Sequence, residues 1–422
     1  MKIKKYAYFA FFSLLFACGE HDIVEREATY EELPFGSSQQ ESSSSYQAQN
    51  SSSSSIFTSS SSSFSFSSDS GSDLSSSSEP DVDVCDFSVH ARIDAECFYE
   101  EKVRTAMGRT ITLGSQARLE FADKASLEIY GSSLKIEAGA ELSFGEGSEF
   151  LVDAEGSLEI SGEEEKPVVL KATDDKNWAG LRVRADSRVT NIEYADLSGA
   201  LTGINFGKDG VLKNSKVHNN IEYGLRQNTS FSEGNFSGNE FFSNGYDARV
   251  SLTIATTLGS SEQFGGKLHI FGNQSVSGNI TLPDFVYDID GGVVTVAGAL
   301  EIMPGAHFYF AEFSSISVTS GGLKVVGTAD KPIVFESVSE VFWGRPGNPG
   351  AAFFFTSNCV TENIFEHFKV LQAKTAFYND GQCKVTLSNG EITYRDKDFD
   401  KSTAIATPDF DVGESVDSQK AQ

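Results

Sequence analysis

Residues 119–160 read LEFADKASLEIYGSSLKIEAGAELSFGEGSEFLVDAEGSLEI. Apolar residues recur here in pairs one residue apart: Leu119/Phe121, Leu127/Ile129, Leu134/Ile136, Leu142/Phe144, Phe150/Val152 and Leu158/Ile160. On an extended chain, side chains two residues apart point to the same side, so each pair marks a short strand with one apolar face. Successive pairs begin 8, 7, 8, 8 and 8 residues apart, with Gly, Ala, Ser and acidic residues between them. Those gaps are short for the loops of a sandwich and fit the corners of a coil. Three strands make a coil of about 23 residues, a period typical of solenoid repeats. A hexapeptide helix would beat at six. No helix-period segment of useful length follows, so the expectation is an all-β parallel β-helix. Its apolar pairs face inward, where only neighbouring coils can cover them.

A longer repeat supports the same conclusion. Leu134-Lys-Ile-Glu-Ala-Gly139 matches Leu300-Glu-Ile-Met-Pro-Gly305 at an offset of 166. Lys166-Pro167-Val168 matches Lys331-Pro332-Ile333, and Trp178 matches Trp343, at an offset of 165. These coils resemble those of bacterial right-handed parallel β-helix proteins with the pectate-lyase-like fold. The resemblance covers roughly residues 105–400 and implies the handedness. That superfamily hosts lyases, hydrolases, adhesins and inert scaffolds, so the fold leaves the function open. The expected organisation is a cap at 80–104, modules at 105–260 and 261–400, and a flexible tail at 401–422. About 12 coils at ~4.8 Å would make a rod of roughly 60 Å.

The N-terminus reads as an address. Lys2, Lys4 and Lys5 precede an apolar stretch from Tyr6 to Ala17, too short to span a bilayer and suited to a signal peptide. It ends in Leu15-Phe16-Ala17-Cys18-Gly19, which resembles the lipobox of bacterial lipoproteins. That resemblance implies removal of residues 1–17, lipidation of Cys18 and attachment to the outer membrane, at the cell surface. From Ser37 to Glu79, 25 of 43 residues are Ser, too little apolar surface to offset ordering entropy. Residues 18–79 therefore read as a disordered Ser-rich linker that holds the β-helix clear of the membrane. Such linkers behind a lipobox resemble surface lipoproteins of polysaccharide-degrading anaerobes.

Composition narrows the function. The net charge is −27, from 60 acidic and 33 basic residues, which excludes nucleic-acid binding by phosphate neutralisation. After Cys18 four cysteines remain, Cys85, Cys97, Cys359 and Cys383. An even count in an exported chain suits two disulfides. Sequential pairing is the simplest of three connectivities, and Cys359 and Cys383 are about one coil apart. Zinc is the rival, without a Cys-x-x-Cys or a nearby His pair to support it.

Candidate chemistry is sparse. Trp178 and Trp343 recur with the fold and so read as corner packing. His21, His90, His218, His269, His307 and His367 show no metal-site spacing. Asp174-Asp175 reads as a solvated corner, because the other motifs of the polygalacturonase family, such as Gly-His-Gly, are missing. Asp396, Asp398 and Asp400 imitate an EF-hand loop, but Lys401 stands where Gly is needed. Asp288-Ile-Asp290-Gly291 is a weak Ca²⁺ candidate that reads first as a turn before Val293. Alternation with Leu181 and Val183 puts Arg182 and Arg184 outward, and with Arg188 they suit either uronate or sulfate groups or ion pairs with Asp186 and Glu193. Residues 218–246 mix Asn with aromatic rings, as in Asn ladders and inner stacks, and Tyr223 and Tyr246 are the rings expected at the surface.

The function expected is a lipid-anchored, non-catalytic surface scaffold or binding protein for glycan or another envelope component, monomeric and without metal or cofactor. The alternatives are a polysaccharide-active enzyme, lyase before hydrolase, on the Arg182 and Arg184 face, and a purely structural spacer.

Overall fold

The computed structural model describes residues 84–420 apart from 175, 233, 259–262, 340–341, 345–349, 357–358, 360, 381–382, 402–409 and 413–415. The stretches expected as signal peptide (1–17) and linker (18–79), with Cys18 and Asp175, lie outside the described residues. The chain winds into a parallel β-solenoid of about 13 turns, 56% strand and 1% helix. Residues two apart within a pair stack on their counterparts one coil away. Leu134 and Ile136 meet Leu158 and Ile160, while Leu119, Leu142, Leu170 and Leu197 continue one another. All of these are buried.

Three columns of strands build the first module. The first runs in seven strands from Arg92–Ile93 to Phe236–Ser237. The second runs in eight, from Glu96–Tyr99 to Gln263–Phe264. The third starts at Val103–Arg104 and continues without a break into the second module. The expected cap at 80–104 thus already contains the first coil. Ahead of that coil, Phe87 is buried against the Tyr99 ring at 5.6 Å, and a Cys85–Cys97 disulfide ties the segment down. The second disulfide joins Cys359 to Cys383, with Cα atoms 5.1 Å apart. Both bonds follow the sequential pairing.

The interior carries a spine of rings. Tyr99, Phe121, Phe144 and Trp178 stack coil on coil at 5.1, 5.0 and 4.3 Å. Trp178 is fully buried and its Nε1 donates to the Ser198 carbonyl at 2.9 Å. Trp343 repeats the arrangement: fully buried, 4.1 Å from Phe310, and donating to the Leu371 carbonyl at 2.9 Å. Both tryptophans are corner packing. The glycine shared by the two matched motifs also has one job. Gly139 and Gly305 turn their corners at φ of 87° and 96°, where a side chain is strained.

At the module junction two columns are interrupted. A short helix, Leu252–Ala255, capped by the Ser251 hydroxyl, follows the strand Tyr246–Val250. Two new columns then begin at Gln274–Val276 and Asn279–Leu282. Among the described residues only the third column crosses. By sequence Phe308 and Phe310 are the counterparts of Leu142 and Phe144 in the second column, yet their strand, His307–Phe310, stacks in the third. The second module is therefore rotated by one strand relative to the first. At the far end Phe410–Val412 and Asp417–Lys420 pair with the last long strand, Val385–Lys401. Part of the segment expected as a flexible tail thus adds strands to the solenoid.

Trp178→Ala and Trp343→Ala should each destabilise the protein by ~3–5 kcal/mol, the cost of emptying a filled aromatic site. Denaturant midpoints would check this, with exposed Arg188→Gln as a control that leaves the midpoint unchanged. A midpoint unchanged in either tryptophan variant would contradict the packing role.

Candidate functional site

The outer face of the third column gathers the candidates. Its outward positions run through Arg182, Asn205, Arg226 and Arg249, then cross the junction to His269, Asp288, Tyr309 and Glu336.

At the first-module end the charges cancel. Arg182 Nε lies 2.9 Å from Glu149, and Arg184 Nε lies 3.0 Å from Asp153 and 3.3 Å from Asp186. Arg188 pairs with Glu155 at 2.6 Å. The expected partner Glu193 is not used, because register decides the pairing. Arg182 sits opposite Leu151, so Glu149 and Asp153 flank it on the same side of the sheet. Burial raises the Glu149 carboxyl above its ordinary range, against the pull of Arg182. Arg182 and Arg184 are thus engaged in cross-coil ion pairs.

The junction carries the denser chemistry. Tyr223 and Tyr246 are register partners with rings stacked at 5.8 Å, and both are half-buried. His269 joins them, its ring 5.7 Å from Tyr223 and 4.9 Å from Tyr246. The Tyr223 Oη and His269 Nδ1 are hydrogen-bonded at 2.9 Å, and the Tyr246 Oη donates to Asp288 at 3.3 Å. His269 Nε2 lies 3.4 Å from Asp290 and makes no aligned hydrogen bond. On the same coil as His269, the Lys267 ammonium reaches 3.8 Å over the Tyr309 ring and 4.0 Å from Asp288. His307 stacks on Tyr309 at 4.4 Å and meets Glu336 at 2.9 Å.

Burial and like charge tune these groups. Burial pushes the Tyr246 phenol up to about 12, helped by the Asp288 charge. Burial also raises Tyr223 and Asp288, the latter against the pull of Lys267. It lowers His269, so the imidazole is neutral near pH 7, although Asp290 and Asp288 oppose the shift. A neutral imidazole hydrogen-bonded to one phenol, next to a second phenol bound to a carboxylate, is a relay able to hold two rings rigidly outward or to move a proton between them.

Sequence reasoning picked Tyr223 and Tyr246, and the structure brings them together. It missed His269, taken as scattered, and Asp288, taken as part of a turn. Gly291 and Gly292 do turn, but Asp288 and Asp290 belong to the strand Val286–Asp290. One usable signal was the coil length. Tyr223 and Tyr246 are 23 residues apart, and so are Arg226 and Arg249. The rest of segment 218–246 follows its default reading. Phe231, Phe236 and Phe241 are inside, and Asn244 Oδ1 accepts from Asn220 Nδ2 while Asn220 Oδ1 accepts from the Ala200 amide. On the second column the exposed Phe242 stacks flat on His218, which pairs with Asp196 at 2.8 Å. Among the described residues no three His, Cys, Asp or Glu side chains converge as a metal site. No protein-family model, curated protein or solved structure matches the chain.

The buried imidazole makes stability pH-dependent with a definite sign. Above its ordinary value near 6.5, His269 is neutral whether folded or not. As pH falls below that, the unfolded chain takes up a proton that the folded protein resists, and stability drops until the lower folded value is reached. Denaturant midpoints at about pH 7.5 and about pH 5.5 should therefore fall further in the wild type than in His269→Gln. Equal losses would show that the imidazole is not held neutral.

Proposed function

We propose that this is an exported, lipid-anchored surface protein whose solenoid binds glycan without turning it over, on the Tyr223–Tyr246 strip. The observation that carries the reading is the outward aromatic pair, stacked at 5.8 Å and pinned by hydrogen bonds to His269 and Asp288. Flat rings suit the apolar faces of sugars, and rings already immobilised lose little entropy on binding. A spacer has no need of a desolvated Tyr–His–Asp network on its outer face. The address rests on Leu15-Phe16-Ala17-Cys18 and on the serine-rich stretch behind it. Two or three acyl chains on Cys18 would anchor the chain stably, where a single chain dissociates. A pectate-lyase-like, right-handed coil accords with the motif order in both modules.

A second reading, β-elimination, draws on the same Tyr223–His269 contact, since a hydrogen-bonded phenol and imidazole can act as an acid–base pair. On this account the site moves from Arg182 and Arg184, which are neutralised by Glu149, Asp153 and Asp186, to the junction.

The full-length protein, screened on a glycan array, should retain one class of polysaccharide. Tyr223→Ala and Tyr246→Ala should each weaken that binding about tenfold, equivalent to ~1.4 kcal/mol. Retention unaffected by both would remove the strip from consideration, and an unsaturated product appearing on incubation would replace binding with the lyase reading. Cys18→Ser should move the protein from the membrane fraction to the soluble one and abolish palmitate labelling, whereas continued membrane attachment would refute the anchor.

A further inference from the structure

Arg226 and Arg249 differ from every other described arginine. On a chain of net charge −27 carboxylates are plentiful. The other described arginines each end on one, except Arg109, which ends on the Ser88 and Val89 carbonyls. Arg226 and Arg249 have no carboxylate oxygen within 4.0 Å among the described residues. The Arg226 Nε is buried without a hydrogen-bond partner. The Arg249 guanidinium lies 4.0 Å over the Phe271 ring, a contact that orients it without neutralising it. The two residues are register partners on adjacent strands, one rung of ~4.8 Å apart. Burial and the Arg226 charge both act against the Arg249 cation. On the next rung His269, only 7% exposed, presents an Nε2 with no aligned hydrogen bond. Donors left without acceptors in a partly desolvated strip cost stability, and two like charges side by side add to that cost. What the strip lacks is an anion.

We infer that the ligand of this strip is an acidic glycan, with its carboxylate or sulfate groups held by Arg226 and Arg249 while Tyr223 and Tyr246 meet the sugar faces. The inference rests on the glycan reading above and narrows it. A guanidinium offers two parallel N–H donors to a carboxylate or sulfate, and two on successive rungs can grip one acid group or neighbouring groups along a chain. A neutral glycan would leave both charges unbalanced. The nearby carboxylates do not fill the role. Asp288 faces Tyr246 and Lys267, and the exposed Asp290 approaches His269 and acts on Arg249 only from beyond 4.0 Å. The acidic surface around the strip disfavours polyanions at long range, so specificity depends on these two contacts and binding weakens as salt screens them.

The test compares matched polymers on the full-length protein. Polygalacturonate is set against its fully methyl-esterified form, and carrageenan against agarose, so the arms separate carboxylate from sulfate and both from neutral sugar. The expected result is binding of at least one charged polymer at least tenfold tighter than its neutral counterpart. Arg226→Gln/Arg249→Gln should abolish that preference, and Arg226→Lys/Arg249→Lys should restore part of it. Thermal unfolding with inorganic sulfate against chloride at equal ionic strength gives a readout that needs no glycan. Sulfate should raise the midpoint of the wild type more than that of the glutamine variant. Neutral and charged polymers bound alike, with the arginine variants unaffected, would overturn the acidic ligand while leaving the glycan reading in place. No polymer bound, but a sulfate effect lost in the glutamine variant, would retain the anion site and discard the glycan. Neither effect would overturn both.

Discussion

Every coil of this protein depends on its neighbours for its backbone hydrogen bonds. The amides and carbonyls of a parallel strand point along the solenoid axis, so each coil is satisfied only by the coils on either side, in register. That constraint places residues of like position one above another at ~4.8 Å. Inside, it stacks Leu119 on Leu142 on Leu170, and Phe144 on Trp178. At a corner it lets Asn244 satisfy Asn220 and Asn220 satisfy Ala200. Outside, it decides which charges meet, so that Arg182 finds Glu149, 33 residues away, rather than an acid closer in the chain.

Much of this was legible because one period governs the inside of the coil. The pairs from Leu119 to Ile160 repeat every seven or eight residues, and buried positions tolerate few alternatives. Trp178 and Trp343 could be placed in the packing for the same reason: residues that recur with the coil serve the coil. The outside obeys no such period. Turns vary in length, so of the two partners of Arg184 the neighbouring Asp186 could be read from the sequence and the cross-coil Asp153 could not, and Asp288 looked like part of a turn when it was a strand residue. His269 was invisible because its significance comes from rings in the two preceding coils, brought to it by a register that changes there. Ala248 to Leu268 and Leu268 to Tyr287 are 20 and 19 residues apart, shorter than the 23 between Leu225 and Ala248.

The third column shows two ways of using surface charge. Near Arg182 and Arg184 the ion pairs hold neighbouring coils together and leave little field outside. Near Arg226 and Arg249 the charges stay unpaired, among half-buried rings and a buried imidazole whose protonation is suppressed. The first arrangement suits a wall and the second suits a contact surface, and the same sheet supplies both.

The one-strand rotation between the modules decides what a doubled solenoid presents at its seam. A module copied end to end without rotation repeats the same side of itself and presents two equivalent patches. Here the copy is turned by a third of its circumference, and equivalent sides diverge. What continues across the seam is the third side of one copy and the second side of the other. Tyr223, Tyr246 and Arg249 come from the former, and His269, Asp288 and Tyr309 from the latter. The strip is therefore a hybrid of two unlike sides: its tyrosines and arginines stand on the first module, and His269, Asp288 and Tyr309 reach them only across the join.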